Sequence, residues 1–82
     1  MLKVNIMELI DRIIVDSKIM VGKPIIKGTR ITVQQILNLL AQGISYQEIL
    51  EDYPKLSEID IRACIAYASK SLEDSTFMPL NI

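Results

Sequence analysis

Apolar positions divide this chain into a β-branched first third and a strongly periodic helical remainder. Val33, Ile36, Leu37 and Leu40 recur at i, i+3, i+4 and i+7, the spacing of one helix face. Thr32 stands at the N-cap of that helix with Gln35 at capping-box distance, and Gly43 supplies a residue able to stop it. Tyr46, Ile49, Leu50 and Tyr53 form a second stripe, opened by Ser45 with Glu48 and closed by Pro54, which lacks a backbone donor. Ile61, Cys64, Ile65, Ala68 and Leu72 form a third, opened by Ser57, with Asp60 placed to favour the positive helix end. Upstream, Asn5 and Glu8 predict a short helix through residue 10, and residues 12–16, rich in β-branched side chains, predict a strand. The chain then turns at residues 16–18, bends at Gly22 and Pro24, and offers Ile25 and Ile26 as a short strand before Gly28. The expected fold is mostly α, one domain: a β-hairpin arm over residues 1–31, a tri-helical core over 32–72, and a tail over 73–82.

Composition sharpens this picture. With 82 residues, the chain hides only about 60–65% of its unfolded surface. Yet half of its residues are hydrophobic and its mean hydropathy is +0.31. That excess points to self-association, most simply a twofold homodimer, and short strands with free edges invite the same. No apolar run approaches the ~20 residues of a membrane span, and the first ten residues, with Lys3 and Glu8, do not read as a secretory signal. The single cysteine, Cys64, cannot form an internal disulfide and reads as a small buried hydrophobe. The absence of histidine removes the usual neutral-pH base and the commonest metal ligand. A cytoplasmic protein with no catalytic residues, metal or cofactor is the expectation.

Charge is unevenly distributed. Residues 17–47 hold Lys18, Lys23, Lys27 and Arg30 and no acid, while residues 48–60 hold Glu48, Glu51, Asp52, Glu58 and Asp60 against Lys55 alone. Such a dipolar chain either steers an anion to one end or pairs its own halves across a dimer. The clustered acids sit at capping or exposed helical positions, so a solvated face is expected of them rather than acid–base chemistry or a Mg²⁺ site.

The second and third core helices are joined by the tight connection of residues 53–57, the connectivity of a helix-turn-helix. In that motif the last helix would meet DNA through its first turn, here Ser57, Glu58 and Asp60, with Arg62 the early outward cation. Two carboxylates at that point oppose a phosphate backbone. The hairpin resolves the conflict: Lys23, Lys27 and Arg30 on a dimer present six cations, and backbone donors around Gly22 and Gly28 could assist. Lys23, Lys27, Arg30 and Arg62 are therefore the expected nucleic-acid or partner contacts.

Residues 22–33 read Gly-Lys-Pro-Ile-Ile-Lys-Gly-Thr-Arg-Ile-Thr-Val, followed by Ile36 to Leu40, Gly43-Ile-Ser, Glu48-Ile-Leu-Glu-Asp-Tyr-Pro and Asp60-Ile-Arg-Ala. From about residue 13 to residue 68 the chain closely resembles the domain-of-unknown-function 433 family, small proteins similar to antitoxins of the VapB type. Gly22, Lys23, Pro24, Lys27, Gly28, Thr29 and Arg30 carry the resemblance as a shared structural or binding element, which adds Thr29 to the expected nucleic-acid or partner contacts. The resemblance implies a homeodomain-like tri-helical core, dimers, and partnership with a PIN-like ribonuclease toxin. The leading expectation is an antitoxin or small regulator that binds operator DNA. On it, the apolar tail residues Phe77, Met78, Leu80 and Ile82 are candidates for toxin binding. The alternative is a protein–protein adaptor that binds no nucleic acid.

Overall fold

The computed structural model describes residues 5–74. Helix α1 spans Ile6–Ile10, strand β1 Ile13–Ile14, strand β2 Ile25–Ile26, helix α2 Val33–Ala41, helix α3 Tyr46–Asp52 and helix α4 Glu58–Glu73. The protein is mostly helical with a small two-stranded antiparallel hairpin near its N-terminus. The tail residues Phe77, Met78, Leu80 and Ile82 lie outside the described residues.

The helix ends follow local chemistry. Asn5 caps α1 by accepting from the Met7 amide at 2.8 Å, one residue earlier than the box with Glu8 predicts. Thr32 Oγ1 accepts from the Gln35 amide at 3.0 Å. The Gln35 side chain does not return to the cap; its Nε2 donates to the Tyr53 hydroxyl at 2.9 Å and so ties α2 to the end of α3. Ser45 and Glu48 make the full reciprocal box of α3. Behind α2, Gly43 has φ +87°, a conformation glycine adopts without a Cβ penalty. It lets Ile44 donate to Leu39 O at 3.1 Å and Gly43 to Leu40 O at 3.0 Å, the paired bonds of a Schellman stop.

Strand pairing is shorter than the β-branched run predicts. Ile13 faces Ile26 and Ile14 faces Ile25. The next partner of Val15 in this register is Pro24, whose carbonyl faces the other way and accepts from the Val33 amide at 2.9 Å, and the ladder stops there. Asp16 then turns the chain, its carboxylate accepting from the Lys18 amide at 2.8 Å. Past β2, Ile26 donates to Ile31 O at 3.0 Å and Val33 to Pro24 O at 2.9 Å, while Ile25 bridges to Thr32, so residues 24–33 close the tight hairpin that leads into α2.

Between the strands, Met20, Val21 and Gly22 adopt φ of 50°, 56° and 75°, one left-handed turn. Only the last is glycine. A β-branched residue is strained there by about 1–2 kcal/mol, and Val21 is 92% exposed, so packing returns little. Val21→Gly is accordingly expected to keep or raise the melting temperature in a thermal scan despite glycine's entropy, by up to about 1 kcal/mol in stability.

The core is built on α4, which packs against α1 and α2 above all, and also against α3 and β1. Ile36, Ile49, Ile61 and Cys64 are fully buried in it. Its register on α4 differs from the predicted stripe. Asp60, Ile61, Ala63, Cys64 and Ala66 are buried, whereas Ile65 and Leu72 are exposed and Ala68 is only half-buried. The side of α4 that carries Asp60 is turned inward, and there Arg12 Nη1 reaches Asp60 Oδ1 at 3.0 Å. The two hairpin faces part company as well: Ile13 and Ile26 enter the core, while Ile14 and Ile25 face the other way.

Candidate functional site

Lys23, Lys27 and Arg30 are all exposed, and none forms an ion pair among the described residues. Their geometry follows from the hairpin. Lys27 and Gly28 occupy the centre of a turn closed by the Thr29 amide donating to Ile26 O at 3.0 Å. Thr29 is spent inside the turn: its hydroxyl donates to Ile26 O at 2.8 Å and accepts from the Ile31 amide at 3.0 Å. Thr29 therefore shapes the hairpin, and contact with a ligand falls to its charged neighbours.

Backbone assistance around the glycines is largely ruled out by the same bonds. The amides of Gly22 and Lys23 donate to Ile19 O and Met20 O, both at 3.1 Å, and that of Lys27 donates to Arg12 O at 2.8 Å. With the Thr29 amide also engaged, the flanking donors are satisfied by their own chain.

The cations do not converge on one cavity. Arg30 and Lys55 rim an open groove of about 550 Å³ whose floor is Ile14, Ile19, Ile25 and Ile31. Lys27 lies beside a second hollow with Asp11, Arg12 and Asp60. Arg62 sits in a third, of about 330 Å³, between α1 and α4 with Ile6, Leu9, Tyr46, Ile65, Ala66 and Ser69. The structure thus separates Arg62 from Arg30, and it brings forward Lys55, a cation that the sequence placed only in a helix connection.

Asp60 changes the electrostatics of the α4 entrance. Its carboxylate accepts from the Ser57 amide at 2.9 Å, from Ser57 Oγ at 3.2 Å and from Arg12. It is 8% exposed. Of the two acids expected to repel a phosphate backbone, Asp60 is turned inward and paired, and Glu58 alone remains exposed at the first turn.

Cys64 behaves as the apolar stripe predicts, fully buried. Burial, with a smaller contribution from the Asp60 charge, pushes its thiol up to about 12 from an ordinary value of 9.0. The folded state then holds this proton where the unfolded state releases it. The stabilisation is complete below pH 9 and erodes between pH 9 and 12, by at most about 1.4 kcal/mol per pH unit. Thermal scans from pH 8 to 10 should show an alkaline loss that is smaller in Cys64→Ala, and iodoacetamide should label the native thiol far more slowly than the denatured one.

A small α-helical protein whose cationic hairpin precedes a three-helix unit is the class these features define. The chain belongs to the family described as "Protein of unknown function (DUF433)", whose profile matches residues 13–68, from β1 into α4. It is also similar to a protein of Archaeoglobus fulgidus described as uncharacterized, with 74% identity over 23 residues, or 28% of this chain and 64% of that relative. The match therefore covers less than two thirds of the relative's own length. No solved structure matches the chain.

Among the described residues no helix is long and apolar enough to cross a membrane.

Proposed function

We propose that this chain is a dimeric antitoxin of a toxin–antitoxin pair or a small DNA-binding regulator, with its hairpin cations on the phosphate backbone. The observation that carries the reading is that Lys23, Lys27 and Arg30 are exposed and free of ion pairs with any described acid. Neutralised phosphates supply most of the affinity of such a contact, so uncommitted cations are what it needs. The internal pairing of Asp60 supports it further by removing one opposing charge from the α4 entrance. In the antitoxin form, a PIN-like ribonuclease is the partner, and Phe77, Met78, Leu80 and Ile82 are the segment assigned to it.

The isoleucine groove favours a second reading, an adaptor that binds an apolar segment of another protein beside Arg30 and Lys55. A gel shift with the DNA upstream of its own gene separates the two. A salt-sensitive, sequence-preferring shift is expected of the regulator. No shift at low salt would leave the adaptor.

A further inference from the structure

The outward face of α4 carries two exposed large apolar side chains among its polar ones. Ile65 is 41% exposed and Leu72 58%, and on α1 beside them Ile6 is 53% exposed and Met7 60%. On α4 the exposed positions 62, 65, 69, 72 and 73 fall within roughly 100° of arc, on the side away from Asp60 and Cys64. They read Arg62, Ile65, Ser69, Leu72 and Glu73. The hollow along this face carries a cation, Arg62, and no acid lines it. At the other end of the stripe stands an exposed acid, Glu73.

We infer that this face is the dimer interface, occupied by α4 of a second copy running antiparallel. The argument is charge complementarity combined with spacing. Laying the stripe on a twofold-related copy with the axis between residues 67 and 68 sets Arg62 against Glu73 of the other chain at both ends, since the two lie equally far from the axis. The same operation brings Ser69, an exposed small side chain, close to the axis, where it lets the helices approach. Ile65 and Leu72 are covered on one flank, and Ile6 and Met7 of α1 extend the apolar area on the rim. A parallel pairing would instead set Arg62 against Arg62. Among the described residues Glu73 pairs with Lys70, at 3.9 Å and largely in solvent, so little holds it back from the Arg62 of the second copy. Arg62 becomes a contact to the second copy, which explains why it lies apart from Arg30 and the hairpin.

This inference deepens the dimeric reading above but stands on α1 and α4, not on the hairpin. Analytical ultracentrifugation of the full chain tests it. The wild type should sediment as a dimer. Ile65→Glu should weaken dimerisation by at least ~30-fold, the loss typical of a central interface residue. Arg62→Glu and Glu73→Arg, each removing two symmetric pairs, should each weaken it by about 10-fold, and the doubly swapped chain should recover most of the loss. Circular dichroism confirms that each variant remains folded, which substitutions at exposed positions permit. A monomeric wild type, an Ile65→Glu chain that dimerises as before, or a double swap that fails to recover would each overturn the inference. The DNA reading is scored separately by gel shift: a monomer that still shifts DNA removes only the interface, and a dimer that does not shift it removes only the DNA role.

Discussion

Asp60→Ala is expected to destabilise the domain by about 3 kcal/mol and to lower its melting temperature by about 15 °C. Three donors converge on this one carboxylate: the Ser57 amide, the Ser57 hydroxyl and the Arg12 guanidinium. Removing it strips the start of α4 of its cap, worth about 1 kcal/mol. It also leaves part-buried donors without partners, at about 1–3 kcal/mol in total. The ion pair itself adds less, because the Arg12 side chain is 45% exposed and water screens it. Arg12→Ala should therefore lose about 1 kcal/mol, and Asp60→Asn, which keeps an acceptor for Ser57, should fall between the two. Against a total stability of about 4–12 kcal/mol for a domain of this length, the alanine variant is a severe lesion. Chemical denaturation of the three variants measures the order. An Asp60→Ala chain within 1 kcal/mol of wild type would show that Asp60 does not anchor α4.

Reversing Lys23, Lys27 and Arg30 to glutamate should abolish binding to DNA while leaving the fold intact. All three are exposed and engaged in no ion pair among the described residues, so stability should move by no more than about 1 kcal/mol. Binding is another matter. A dimer offers six such cations, and reversal turns each attraction to phosphate into repulsion, for a loss of at least ~1,000-fold at moderate salt. Fluorescence anisotropy with a labelled duplex measures it, with melting curves as the control for folding. Retained affinity in a folded triple variant would move the contact away from the hairpin, toward Lys55 or Arg62.

Local chemistry made much of this fold legible. Thr32, Ser45 and Ser57 mark the three helix starts because an N-cap is decided within four residues, and Gly43 marks a stop for the same reason. The sequence was less informative wherever the deciding contact is distant. Arg12 and Asp60 are 48 positions apart, and neither carries a local sign of the other. With Asp60 turned inward, Ile65 and Leu72, which an apolar stripe assigns to the core, face outward. The left-handed turn at Met20 and Val21 opposes local propensity, so the residue types there do not announce it. At the site, the charges were readable as residue types, but their distribution over three hollows was not, because it depends on how the hairpin, the α3–α4 connection and α4 pack together.

The most direct test of the account is the salt dependence of DNA binding by the wild-type chain and the triple variant. If six hairpin cations of a dimer neutralise phosphates, the logarithm of the observed binding constant should fall against the logarithm of salt concentration with a slope of about −5, and that slope should collapse toward zero in the variant. A wild-type slope near zero, or a slope that the triple reversal leaves unchanged, would contradict it.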